Sequence, residues 1–187
     1  RKESLKFLEL DSSRFKEVAQ PFPTITYDQA IEKLKSLDFK MPELDGKSRT
    51  VEWGDDLSID SERELTRKMM TRLFIIGYPT SVKPFYVKEN PDRSGTSLTF
   101  DLLGPQGYGE LSSGGMREEN LLTLSNRIRQ AGLDPIDYKW YLDLRKYGSV
   151  EHGGFGMGIE RLLRWFIGIE DIKELVLFPR TMSRVSP

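Results

Sequence analysis

The sequence contains no cysteine and a single histidine, His152, among its 187 residues. The first absence excludes a disulfide framework and thiolate metal sites. The second excludes any metal site built from several histidines. No uninterrupted apolar run approaches the roughly 18 residues that a membrane-crossing helix needs, and no basic-then-apolar leader opens the chain. A surplus of positive charge is missing too: 28 Lys and Arg stand against 29 Asp and Glu, for a formal net charge of -1. Free-standing nucleic-acid-binding modules usually carry a basic excess, so that class is disfavoured, while a local basic patch is not. The expectation is a soluble, cytoplasmic protein with no membrane partner, long enough for one domain with a sizeable core. The chain opens "RKESLKFLELD", without an initiator methionine, and is expected to be a piece of something longer.

Periodicity and punctuation outline the elements. Arg1 to about Val18 reads as a solvent-facing helix plus loop. "PFPTITYDQAIEKLKSL" reads as a short extended piece and then a helix, with Thr26 and Gln29 at capping-box spacing and Ala30, Ile31 and Leu34 as the apolar stripe. "MPELDGKSRTVEWGDDLS" is turn-rich and reads as a loop anchored by Trp53. Ser61 and Glu64 suggest a second capping box and a helix to about Leu73. "LFIIGYPTSVKPFYV" reads as strand, turn, strand around Tyr78 and Pro79. A hairpin around Gly104 to Gly107 follows, then a helix stopped at Gly132, then one capped by Asp134 with Pro135 at its first position. A glycine-rich strand, a helix from about Ile159 to Ile167, and a short buried strand in "ELVLFPR" complete the chain. Regular alternation of strand and helix is missing, which predicts an α+β fold built on a mainly antiparallel sheet flanked by helices.

Two stretches carry candidate chemistry. If Gly104 to Gly107 form a four-residue loop, Asp101 stands directly opposite Glu110 across the hairpin. Like charges so placed repel, and a shared proton or a cation relieves them. With the hydroxyl of Ser113 they offer the hard oxygen ligands that Mg²⁺ prefers, and Mg²⁺ held by one or two carboxylates usually carries nucleotide phosphate as well. A longer loop with both groups solvated is the competing reading. Arg117, expected in the first turn of the next helix, is unfavourable there for the helix dipole; a bound anion or carbonyl group justifies it, and a plain surface arginine is the alternative.

The second stretch is "EHGGFGMGIERLLRWFIG". On a strand, His152, Gly154, Gly156 and Gly158 share one face, and Phe155, Met157 and Ile159 share the other, which is expected to be a core face. Glycine weakens strands, so three in alternation call for a reason: close packing against another backbone, or a flat ligand lying on bare main chain. "GMGIER" lacks the third glycine and the βαβ context of a dinucleotide fingerprint. A glycine platform, a helix N-terminus and the planar fork of Arg161 together suit ATP.

With these residues in view, "GGFGMGIERLL" followed by "IEDIKELVLFPRT" resembles motif 3 of the class II aminoacyl-tRNA synthetases. "FDLLGPQGYGELSSGGMREEN" resembles the segment of the aspartyl/asparaginyl subgroup that carries metal and amino-acid ligands. "PFPTITYDQAIEKL", "VEWGDDLS", "KPFY" and "YKWYLDLRKYGSVEHGG" are similar to asparaginyl-tRNA synthetases of archaeal type. The resemblance runs from about Pro21 to Pro187. It implies a six- or seven-stranded antiparallel sheet with ATP bent upon it. It implies Glu110 as a ligand of Mg²⁺ and ATP, Asp101 as a second acid at the metal, and Ser113 at the metal or the amino acid. Arg117 is implied to bind the substrate's side-chain oxygen. Gly156 and Gly158 are implied to form the adenine platform, with Ile159 and Glu160 beside it, and Arg161 to meet the nucleotide, usually at its γ-phosphate. Glu110 and Arg161 are thus the catalytic pair.

No motif 1, motif 2 or anticodon-binding barrel is found in the sequence. Residues 1–187 are therefore expected to be the C-terminal portion of a class II catalytic domain, itself nearly inactive when isolated. The implied parent activates asparagine with ATP, transfers it to tRNA(Asn), and is a homodimer. Aspartyl-tRNA synthetase, an asparagine synthetase-like paralogue and a non-catalytic binding or regulatory module are the alternatives.

Overall fold

The computed structural model describes residues 2–7, 20–43 and 46–184. A helix at Lys2–Phe7 (α1) opens the chain, and the rest of the stretch expected to continue it lies outside the described residues. The main sheet has five strands: Thr24–Thr26 (β1), Leu73–Ile76 (β4), Thr99–Gly104 (β5), Gly109–Met116 (β6) and Gly153–Met157 (β7), ordered β1-β4-β5-β6-β7. Only β1 and β4 run parallel; the other three pairings are antiparallel. The α+β architecture agrees with the sequence reading, with five strands in the main sheet among the described residues rather than six or seven.

Local signals set most helices. Thr26 caps Tyr27–Ser36 (α2) with both bonds of the capping box, and Tyr27, Ala30, Ile31 and Leu34 are its buried face. Such a cap contributes about 1 kcal/mol. The next helix, Ile59–Thr66 (α3), starts three residues before the expected box: Ser58 is the cap, its hydroxyl accepting from the Ser61 amide. It also stops at Thr66, so that Leu73 opens β4 instead of closing a helix. The expected loop before it folds back as a two-stranded hairpin, Lys40–Pro42 (β2) with Ser48–Thr50 (β3). The strand expected after Pro79 is a 3₁₀ turn, Thr80–Val82, followed by isolated bridges.

The core lies where α2 and α3 cover one face of β4 and β5, around Tyr27, Leu34, Leu65, Leu73, Ile75, Tyr78 and Leu103. Trp53 anchors its loop edge-on to Tyr27 and donates its indole N–H to Asp28 at 2.8 Å. Beyond β6 come Leu121–Gln130 (α4), capped by Asn120, and Lys139–Lys146 (α5). Asp134 and Pro135 belong to turns ahead of α5 rather than to its first turn: Asp134 accepts from the amide of Ile136 at 2.9 Å.

The end of the chain departs most from expectation. Ile159–Ile167 (α6) forms as predicted and stops at Gly168, whose φ of 80° suits a residue without Cβ. None of its residues is buried, and Leu163 is 38% exposed. Phe155 and Met157, expected in a core, are 69% and 42% exposed. They point to the sheet face opposite α2 and α3, and no described element covers them. "ELVLFPR" is not a buried strand: a 3₁₀ turn occupies Ile172–Leu175, and Leu177 and Phe178 are exposed.

Candidate active site

Cross-strand pairing organises one face of the sheet into rows. Asp101 lies opposite Ser113, and Ser113 opposite Gly156. The next row toward the turn pairs Leu103 with Glu110; the next row the other way pairs Thr99, Gly115 and Gly154. The register therefore differs from the simple hairpin, in which Asp101 faced Glu110. Two features shift it. The turn uses a 3₁₀ step at Pro105–Gly107 with Gln106 at φ 56°, and β6 bulges so that Leu111 has no partner between Glu110 and Ser112. Asp101 and Glu110 become diagonal neighbours on a shared face, since cross-strand partners point the same way.

Asp101 is held by Lys83, whose ammonium donates to Oδ2 at 2.7 Å while lying 3.7 Å above the Tyr78 ring. Oδ1 of Asp101 is buried without a hydrogen-bond partner. Burial, reinforced by Asp101, pushes the Tyr78 hydroxyl far above its ordinary range. Burial and then Asp101 raise Glu110, opposed by Arg161 and Lys83. A third carboxylate joins them. Glu62 of α3 is buried, accepts from the Glu110 amide at 3.2 Å, and is pushed up to about 7 by burial and by the charges of Glu110 and Asp101.

Gly158 caps α6, and Arg161 in its first turn reaches back to Glu110, donating to the main-chain oxygen at 3.0 Å and to Oε1 at 3.3 Å. Ile159 and Glu160 are exposed on the same turn. The glycines of β7 are bare for two different reasons. A Cβ at Gly154 would stand 2.9 Å from Nη2 of Arg117, so this glycine makes room for the arginine. A Cβ at Gly156 would meet nothing within 4 Å, so this one leaves open surface. Ser112 braces that strand by donating to the Gly156 carbonyl at 2.8 Å.

Arg117 is not in a helix. It bridges Val87 at the end of β6, four residues before α4, so the dipole argument made for it does not apply. Its guanidinium lies 4.8 Å from the Tyr86 ring centre. Beside it opens a cavity of about 420 Å³ lined by Phe85, Tyr86, Arg117, Tyr138, Trp140 and Tyr141. One sheet face thus carries a cation at each end, Arg117 and Arg161, with Asp101, Ser113 and Glu110 between them.

Sequence reasoning missed Lys83 and Glu62. Lys83 stands in the quoted "KPFY", a charge within an apolar stretch. Glu62 lies three residues before Leu65, on the core side of α3, and a carboxylate at a core position is the signal that could have found it. Asp101, Glu110 and Ser113 suit a hard divalent cation: one hydroxyl and two acids, one of which, Asp101, keeps a buried oxygen without a partner. Among the described residues no group of three or more His, Cys, Asp or Glu forms a metal site, so such an ion would need phosphate oxygens to complete its shell.

Comparisons with known proteins place the chain in a family. An asparagine–tRNA ligase of Pyrococcus abyssi is 45% identical over 187 residues, covering 100% of this chain and 41% of the relative. The crystal structure of asparaginyl-tRNA synthetase from Pyrococcus horikoshii complexed with asparaginyl-adenylate matches with a TM-score of 0.87 at 44% identity, covering 100% of this chain and 41% of that one. An aspartyl tRNA synthetase from Entamoeba histolytica follows at 0.78 and 29%, covering 90% and 33%. The chain spans about two fifths of the length of the curated relatives it matches. The family model described as tRNA synthetases class II (D, K and N) matches residues 2–182, and the chain belongs to that family.

Proposed function

We propose that the protein carrying this chain activates asparagine with ATP and transfers it to tRNA(Asn), and that residues 1–187 are the C-terminal portion of its catalytic domain. The observation that carries the reading is the row on one sheet face: Arg117, then Ser113 with Asp101 and Glu110, then Arg161 beside the open backbone of Gly156. The relative solved with asparaginyl-adenylate supports it.

In the first step a carboxylate oxygen of asparagine attacks the α-phosphorus of ATP. That P–O bond forms, the bond to the α,β-bridging oxygen breaks, and pyrophosphate leaves with the electron pair. In the second, a ribose hydroxyl at the tRNA terminus attacks the acyl carbon and AMP leaves. No side chain serves as nucleophile; the residues position and neutralise. Arg117 takes the side-chain oxygen of asparagine. Gly156 and Gly158 leave room for the adenosine, with Ile159 and Glu160 at its edge, and Arg161 meets the phosphate end. Asp101, Glu110 and Ser113 would hold Mg²⁺, which spreads phosphate charge when bound.

Identity of 45% to asparagine–tRNA ligases against 29% to the aspartyl structure favours asparagine over aspartate. The retained charges at Glu110, Arg117 and Arg161 speak against a non-catalytic module. No described helix is long and apolar enough to cross a membrane, and a cytoplasmic site of action is part of the proposal. So is a homodimer, supported by the uncovered Ile76, Phe155 and Met157 on the opposite sheet face. ATP–pyrophosphate exchange by the full-length protein tests the reading. Exchange that depends on asparagine and charging of tRNA(Asn) are expected. Exchange driven by aspartate, or asparagine formed without tRNA, would replace it with one of the alternatives.

A further inference from the structure

We infer that Glu62 is a positioning residue for Glu110: its carboxylate pins the bulge of β6 that brings Glu110 onto the face of Asp101 and Ser113. The inference rests on the proposed role of Glu110 as a metal and ATP ligand. Along an unbroken strand, residues three apart point to opposite faces, so Glu110 and Ser113 would be separated by the sheet. The bulge at Leu111 adds one residue and returns Glu110 to the face of Ser113. A bulge interrupts the ladder and leaves main-chain groups in need of other partners. Here the Glu110 amide donates to Oε2 of Glu62 at 3.2 Å, and on the far side of the bulge the Leu111 carbonyl accepts from the Gly158 amide at 3.2 Å. The second contact ties the bulge to the start of α6, where Arg161 arises. The first ties it to α3.

Glu62 stays in place despite its cost. It is buried beside two other carboxylates, where an apolar residue would complete the packing around Leu65 without that penalty. An acceptor for a half-buried N–H is what the position needs, and a side chain long enough to reach from α3 to β6 supplies it.

Mn²⁺, a paramagnetic substitute for Mg²⁺, gives a readout separate from turnover. Its affinity in the presence of ATP is measured by electron paramagnetic resonance on the full-length protein. The variants are Glu62→Ala, Glu62→Gln, Glu110→Gln and the Glu62→Ala/Glu110→Gln pair. Glu62→Ala should weaken Mn²⁺·ATP binding by about tenfold, the loss of one hydrogen bond. Glu62→Gln, whose amide oxygen can accept the same N–H, should restore it to within about twofold. The double variant should bind no worse than Glu110→Gln alone, because Glu62 acts through Glu110. KM for asparagine, set at the Arg117 end, should stay nearly unchanged in Glu62→Ala. If Glu62→Ala fails to fold, Glu62→Asp, one methylene too short, carries the same comparison. Wild-type affinity in the Ala or Asp variant, or equal losses in Gln and Ala that add to Glu110→Gln, would overturn the inference. Unchanged affinity in Glu110→Gln itself would instead overturn the reading of Glu110 on which it rests.

Discussion

Glu110 and Ser113 stand three residues apart on one strand and face the same side of the sheet. Leu111, left without a cross-strand partner, is the reason. Its side chain would sit 3.4 Å from a Cβ at Gly104, in the space that glycine leaves. The consequence is chemical: two oxygen-bearing side chains that regular pleating would separate are gathered beside Asp101. Arg161 then closes the group by bonding both the main-chain oxygen and the carboxylate of Glu110.

Arg161 makes its bonds to Glu110 from an exposed position, so the protein should fold without it. Arg161→Ala is expected to keep its melting temperature and to lose about 10²–10³ in the rate of pyrophosphate exchange, the scale of one preorganised charge contact. Exchange at the wild-type rate would remove Arg161 from the chemistry.

Gly156 and Gly154 should separate under mutation. Gly156→Val places a branched side chain in open space on a strand that tolerates it. Folding should be retained, and ATP affinity should fall at least about tenfold for loss of the platform. Calorimetric titration with ATP decides it; undiminished affinity in the folded variant would end the platform reading.

Gly154→Ala puts its methyl group against the end of the Arg117 side chain, which is flexible and can move. The expected result is a raised KM for asparagine, with KM for ATP nearly unchanged. Steady-state kinetics with each substrate varied in turn would show the split.

Gly114 tests the other face. A Cβ there would come within 2.7 Å of the Gly154 carbonyl oxygen and the Phe155 Cβ, and 2.8 Å of the Phe100 ring. None of these can yield cheaply, because two are tied to strand backbone. Gly114→Ala should destabilise by about 1–3 kcal/mol, the usual cost of overpacking, read from chemical denaturation.

Asp55 supplies a pH test. It takes two bonds of 2.6 Å from Arg49 and one of 2.7 Å from the Glu52 amide. The hydrogen bond from Arg49 is the main reason its carboxyl lies below the usual 3.8, outweighing burial. A depressed folded-state pKa stabilises the fold above 3.8 and ceases to do so as pH falls through the folded value. Asp55→Asn should therefore melt lower than wild type at neutral pH, and the gap should narrow below pH 3.8. A gap that does not change with pH would show that charge is not its source.

The residues that identify the family were legible in the chain itself. Thr26 with Gln29, Gly158 ahead of Arg161, and the alternating glycines act over a few positions, where capping and pleating are set by neighbours in sequence. The acids of the hairpin could also be found, because Asp101 and Glu110 flank a turn that glycine and proline announce. Their register could not. Whether β6 bulges depends on an acceptor brought by α3, 48 residues away in sequence at Glu62, and no spacing within the hairpin encodes it. The same holds for Lys83, which joins Asp101 only when the segment after β4 folds over β5. Phe155 and Met157 show the limit from the other side. Alternation placed them together on one face of a strand, but burial belongs to whatever packs on that face, and that is decided by tertiary contacts rather than by hydrophobic pattern.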